Sequence, residues 1–265
     1  MKGRVTSTLL TQLIALLISI LVVHLVYASV IRPTANAILD EREERLKNEE
    51  SFVPERSLYV TLRDYEQETC FILMFWAFAI MGTKAWSAMS ERKMLDNDLL
   101  RIGEGVSVLP EDARRYMRPV QSLPDKTRNR LLSRTVLVAL QRFESTQAVQ
   151  NVSDAVRTSC EAEADRLDSE LAMIRYIAWA IPSIGFIGTV RGIGEALSQA
   201  YLAVQGDIAG VTESLGVAFN STFVALVISI VIMFFVYQLQ RYQEEVVIAV
   251  ESWCDENLLR HLQVR

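Results

Sequence analysis

From Leu9 to Ile31 the chain runs for 23 residues without an Asp, Glu, Lys or Arg, and the same absence returns at Tyr176–Val190 and Ser214–Gln238. A hydrocarbon layer ~30 Å thick is crossed by about 20 apolar residues in a helix, so such runs point to helices that span a bilayer. A shorter run, Cys70–Gly82, holds 13 residues and reaches Met89 if Lys84 snorkels. The third run reaches Ile193 on the same terms if Arg191 snorkels. A hydrophobic content of 51% and a mean hydropathy of +0.20 agree with four spans better than with a water-soluble domain. Lys2 and Arg4 ahead of the first run also fit a signal peptide, but the run is long for one and no small-x-small site precedes Pro33. A retained helix is therefore expected.

The charges lie between the spans. Residues 32–69 carry ten acidic and six basic side chains, and residues 90–175 carry fourteen of each. Lys2 and Arg4 place the N-terminus in the cytoplasm, and Arg92 and Lys93 after the second span agree. Segment 32–69 is then periplasmic, 90–175 and the C-terminus are cytoplasmic, and the 194–213 loop with Asp207 and Glu213 faces the periplasm. The net charge of −5 speaks against a nucleic-acid partner. Cys70, Cys160 and Cys254 are far apart and odd in number, which fits reduced thiols, and no metal-ligand spacing is present.

Helical periodicity governs the expected cytoplasmic part. Leu131, Leu132, Val136, Val138, Leu140 and Phe143, then Val149, Val152, Val156, Cys160, Leu167 and Leu171, recur at three- and four-residue steps. Pro110, Pro119 and Pro124 punctuate the stretch before them. Gln240–Leu262 reads as an amphipathic helix with Val246, Val247, Val250, Trp253, Cys254 and Leu258 on one side. The expected protein is all-α, with four transmembrane helices and long cytoplasmic helical extensions, assembling as a ring. Its segments are 1–31 (first span), 32–69, 70–89 (second span), 90–175, 176–240 (third and fourth spans) and 241–265.

The polar side chains at membrane depth are nearly all hydroxyls. Gly185, Gly188, Gly192 and Ala196 share a face of the third span, with Thr189 on or beside it. Ala218, Thr222, Ala225 and Ser229 form a small, hydroxyl-bearing stripe on the fourth, next to Asn220 and Ser221. Small residues at this spacing let backbones approach closely, which predicts another helix packed there. Hydroxyls in membrane helices commonly bond the carbonyl one turn back, and they also line polar paths. The residues alone leave both roles open.

Pro182, the run Gly185 to Gly192 centred on Gly188-Thr189-Val190, and Ala218-Phe219-Asn220-Ser221-Thr222 resemble the MotA/TolQ/ExbB family, the ring subunits of ion-driven motor complexes, over residues 175–240. The resemblance implies a bacterial inner-membrane protein that is not an enzyme. It implies a ring of five such subunits around two helices of a single-span partner resembling MotB, TolR or ExbD. A threonine hydroxyl does not exchange protons near neutral pH, and none of the four apolar runs contains a carboxylate. In the resembled family that acid is an aspartate of the partner, and Thr189 and Thr222 match the ring hydroxyls facing it. Asn220 and Ser221 join them as ion-path candidates, while Pro182, Gly185, Gly188, Gly192, Ala218 and Ala225 are packing positions. The expected ion is a proton, with sodium as the alternative, and no cofactor is implied. Glu213 resembles an acidic residue preceding the corresponding helix in ExbB-like members and is a mouth candidate. Arg191 stands where some relatives carry an aromatic residue and is expected to snorkel at the mouth. His24, alone in its apolar run, is expected to be neutral and satisfied by a neighbour.

Overall fold

The computed structural model describes residues 2–48, 57–97, 99, 100, 102, 103 and 105–264. Residues 49–56, part of the charged 32–69 stretch, and the Lys2 and Arg4 side chains used for orientation lie outside the described set. The elements are helical throughout: α1 (Lys2–Val26), a π-helical turn (Tyr27–Ile31), α2 (Arg32–Asn48), α3 (Leu58–Thr61), α4 (Tyr65–Leu95), α5 (Ala113–Gln121), α6 (Asp125–Arg128), α7 (Leu131–Thr146), α8 (Val149–Ser198), α9 (Ala200–Val204) and α10 (Ala209–Asn257). Among the described residues, extended pairing is limited to one isolated parallel bridge, Val108 with Leu262.

Four helical stretches are long and apolar enough to cross a membrane: Leu10–Arg42, Tyr65–Leu95, Val149–Ser198 and Ala209–His261. The 50 residues of α8 rise about 75 Å, more than twice the hydrocarbon thickness, so this helix continues beyond the bilayer. The second span begins earlier than its apolar run: α4 starts at Tyr65, not Cys70, and carries Glu66 and Glu68 in its first turn.

The chain divides into two compact units, Met1–Met81 with Met173–Val236, and Gly82–Ala172 with Tyr237–Arg265. In the first, α4 buries Gln67, Cys70, Ala77, Ile80 and Met81 at helical spacing. The Trp76 indole N–H donates to the Gln12 carbonyl at 3.0 Å and ties α4 to α1. The π-helical turn buries Tyr27 and sets Arg32 against Glu68 of α4. π-turns accommodate one extra residue in a helix and alter its register.

The second unit has its own hydrophobic core. It gathers Leu132, Val136, Leu140 and Phe143 of α7, Val152, Val156 and Cys160 of α8, and Val247, Val250 and Cys254 of α10. Val138, expected on the inner face of α7, is exposed. Pro119 lies inside α5 instead of breaking it. Lys84, expected to snorkel, pairs with Glu170 at 2.5 Å. The buried Glu163 is held by Arg134 at 2.7 Å and Arg166 at 2.5 Å, which removes the cost of an unpaired interior charge. Cys70, Cys160 and Cys254 are free and buried.

Candidate ion-conduction site

The glycine face of α8 and the small stripe of α10 meet each other. A methyl group placed on Gly185 would lie 2.5 Å from Ala225 Cβ and 3.1 Å from Thr222 Cα. One on Gly188 would lie 2.6 Å from Ser221 Cβ, and one on Gly192 would lie 2.9 Å from Ala218 Cβ and 2.7 Å from the Ser214 carbonyl oxygen. The order runs 185 to 192 against 225 to 214, so the helices are antiparallel, and no Cβ fits between them at these positions. This corrects the expectation that the small faces await a helix from outside: each is filled by the other, within one chain.

Pro182 contributes to the same seam. Proline has no backbone N–H, so the Ala178 carbonyl one turn back loses its helical donor. Ser229 of α10 replaces it, donating to the Ala178 oxygen at 2.9 Å. The fourth residue of the α10 stripe therefore satisfies a carbonyl that a proline on α8 leaves free.

Thr189 and Thr222 face each other across the seam and are hydrogen-bonded through their hydroxyls. Thr222 Oγ1 also donates to the Gly185 carbonyl at 3.0 Å, and Thr189 Oγ1 lies 3.0 Å from the Ala218 carbonyl and 3.3 Å from that of Gly185. A hydroxyl has one proton to donate. Thr222 spends its proton on Gly185, and Thr189 spends its own on Ala218 or on Thr222, so the pair offers lone pairs and no free donor. Such a pair accepts hydrogen bonds from water, hydronium or a protonated carboxyl, whereas a bare carboxylate requires the hydroxyls to turn. Ser221 is fully buried and donates to the Val217 carbonyl at 2.8 Å. Asn220 is half-buried one position away.

Three residues of α4 join this site without having been singled out in the sequence. Gln67 is fully buried; its Nε2 donates to the Thr61 carbonyl at 3.1 Å and lies 3.5 Å from Ser221 Oγ, while its Oε1 has no partner. Glu66 reaches the Gly188 slot, its Cγ 3.1 Å from where a methyl at Gly188 would sit. Its carboxylate is gripped by Arg191, Nε to Oε1 at 2.7 Å and Nη2 to Oε2 at 3.0 Å. Arg191 is thus engaged in a two-pronged ion pair rather than snorkelling, and it also approaches Glu195 at 3.5 Å. Glu213 pairs with Arg63 at 3.3 Å. Glu68 points to the α1 side, where His24 Nδ1 lies 2.7 Å away and Arg32 also bonds it. His24 has the neighbour that was expected, and that neighbour is a carboxylate. The apolar-run criterion missed the two glutamates of α4 because they are offset by cations from other elements. Among the described residues, no group of three or more His, Cys, Asp and Glu side chains is arranged to hold a metal ion.

An all-helical chain with four spanning helices, two of them joined by a glycine seam and a hydroxyl pair, is a multi-pass membrane protein of the channel-forming kind. Residues 127–252 match the profile of the MotA/TolQ/ExbB proton channel family and belong to it. That segment contains the complete seam. The family consists of proton-channel-type motor and transport subunits that act with partner proteins in membrane complexes. Neither a curated protein nor a solved structure matches the chain.

Proposed function

We propose that this chain is the ring subunit of a proton-driven motor complex of the bacterial inner membrane, with both termini in the cytoplasm. Five copies would surround two transmembrane helices of a single-span partner of the MotB, TolR or ExbD kind, whose aspartate exchanges the ion. The observation that carries this is the Thr189–Thr222 pair, placed by two antiparallel spans within the family segment. The partner's protonated carboxyl donates to the threonine lone pairs. After the proton leaves, the carboxylate is costly against apolar wall and is drawn to the next polar position. That alternation turns ion flow into stepwise movement of the ring around the partner.

The test is ion flux in liposomes holding the complex purified through a tag on this chain, compared with a partner Asp→Asn variant. Flux driven by a pH gradient and lost with the aspartate supports the function. Flux that persists without the aspartate, or that the chain supports alone, removes the shared mechanism. Flux that follows a sodium gradient and ignores pH replaces the proton by sodium.

A further inference from the structure

The Gly188 slot brings together groups that the threonine pair does not explain. Ser221 Oγ would lie 2.7 Å, and Glu66 Cγ 3.1 Å, from a methyl on Gly188, so a hydroxyl and a carboxylate-bearing chain border the same small space. The amide of Gln67 reaches Ser221 from α4, fully buried, with Oε1 unpartnered. A buried acceptor without a donor is costly and is retained where something fills the need. Exchanging the amide's oxygen and nitrogen does not help, because it would set Oε1 against the Thr61 carbonyl that Nε2 now bonds. Acceptors without protons suit a cation.

We propose that Glu66, Gln67 and Ser221 form a binding site for a small monovalent cation, hydronium or sodium, at the outer side of the threonine pair. Arg191 is the resident cation there: its guanidinium neutralises Glu66 and is displaced when the ion binds. The charged groups around the site are Arg191 and Glu195 on α8, Arg63 and Asp64 just before α4, and Glu213 on α10. Glu195 provides the displaced guanidinium with a second carboxylate on its own helix, one turn on. The conduit is then walled by three helices of this chain, with α4 supplying its charged member. This site rests on the ring-subunit function proposed above.

The experiment uses the same purified complex in liposomes, with flux followed by radioactive sodium and by a pH-sensitive dye over a range of ion concentrations. Removing one charged ligand is expected to raise the half-saturating ion concentration about tenfold in Glu66→Gln. Maximal flux and complex yield stay near wild type, because the glutamine retains an oxygen for Arg191. Gln67→Leu shifts half-saturation in the same direction, Glu66→Asp restores it, and Arg191→Gln lowers it by removing the competitor. The dye and the sodium tracer distinguish hydronium from sodium as the occupant. Wild-type half-saturation in both Glu66→Gln and Gln67→Leu, with Thr222→Val still lowering flux, overturns the site and leaves the function standing. Reduced yield or maximal flux at unchanged half-saturation makes Glu66–Arg191 a structural pair and also overturns it. No flux in the wild-type complex overturns the function and this site together.

Discussion

Thr189 and Thr222 are bonded to each other and to backbone on the opposite helix, so each substitution there has a structural and a functional share. Thr222→Val removes an inter-helix hydrogen bond worth about 0.6 kcal/mol in a membrane, with little change in volume. The expected outcome for Thr222→Val and Thr189→Val is a complex of normal composition on native mass spectrometry with reduced ion flux; wild-type flux in both would remove them from the path. Ser229 makes a sharper case. Ser229→Ala leaves the Ala178 carbonyl without any donor, at a cost of about 1 kcal/mol. In a Pro182→Ala background the helix supplies that donor again, so the same substitution should cost less. A double-mutant cycle on thermal melting in nanodiscs measures this coupling; additive costs would show that the proline and the serine act independently. The threonines and glycines were legible in the sequence because helical spacing alone assigns residues to a face. Glu66 and Gln67 were not, because their charge and polarity ended the apolar run, and their partners Arg191 and Ser221 lie 125 and 154 positions away.

At the level of the helices, periodicity identified the faces but not what fills them. The glycines of α8 read as a surface for a neighbour, and the neighbour is the next span of the same chain. Gly188 and Gly194 test the difference, since a side chain at Gly188 meets Ser221 whereas at Gly194 nothing lies within 4 Å. Gly188→Leu should force α8 and α10 apart and lower the melting temperature of the chain even without a partner. Gly194→Ala should be neutral, or favourable by up to ~1 kcal/mol from helix propensity. Equal melting temperatures for the two variants would mean that the seam does not hold the pair together.

Across the whole chain, the second unit closes with residues from its far end. Leu258 is fully buried, Leu262 nearly so, and the Val108 N–H donates to the His261 carbonyl at 2.7 Å. Ending the chain at Asn257 removes these contacts. Losing a buried leucine costs about 2–5 kcal/mol, so limited proteolysis should then cut within 82–172 while the helices of the first unit still insert into membranes. Cleavage unchanged from the full chain would mean that this end is dispensable for the core. The two-unit division was partly legible, since helical periodicity marked the α7, α8 and α10 faces that form the second core. The sequence pattern did not mark the contribution of Val108, because a single bridge to Leu262 leaves no periodic trace.

The π-helical turn at Tyr27–Ile31 bears on what lengths of chain this protein tolerates. Its wider loop, closed by the Arg32 N–H on the Tyr27 carbonyl, absorbs one residue that an α-helix would have to express as rotation. Deleting Ala28 should convert the turn to ordinary helix and swing everything after it by about 100°, carrying Arg32 off Glu68. An insertion or deletion that is harmless in most surface segments thus becomes a change of aim here. The buried Glu68 would lose its arginine, at about 3–5 kcal/mol, visible as a lower melting temperature that Glu68→Gln partly relieves; an unchanged melting temperature would show that the turn carries no such register.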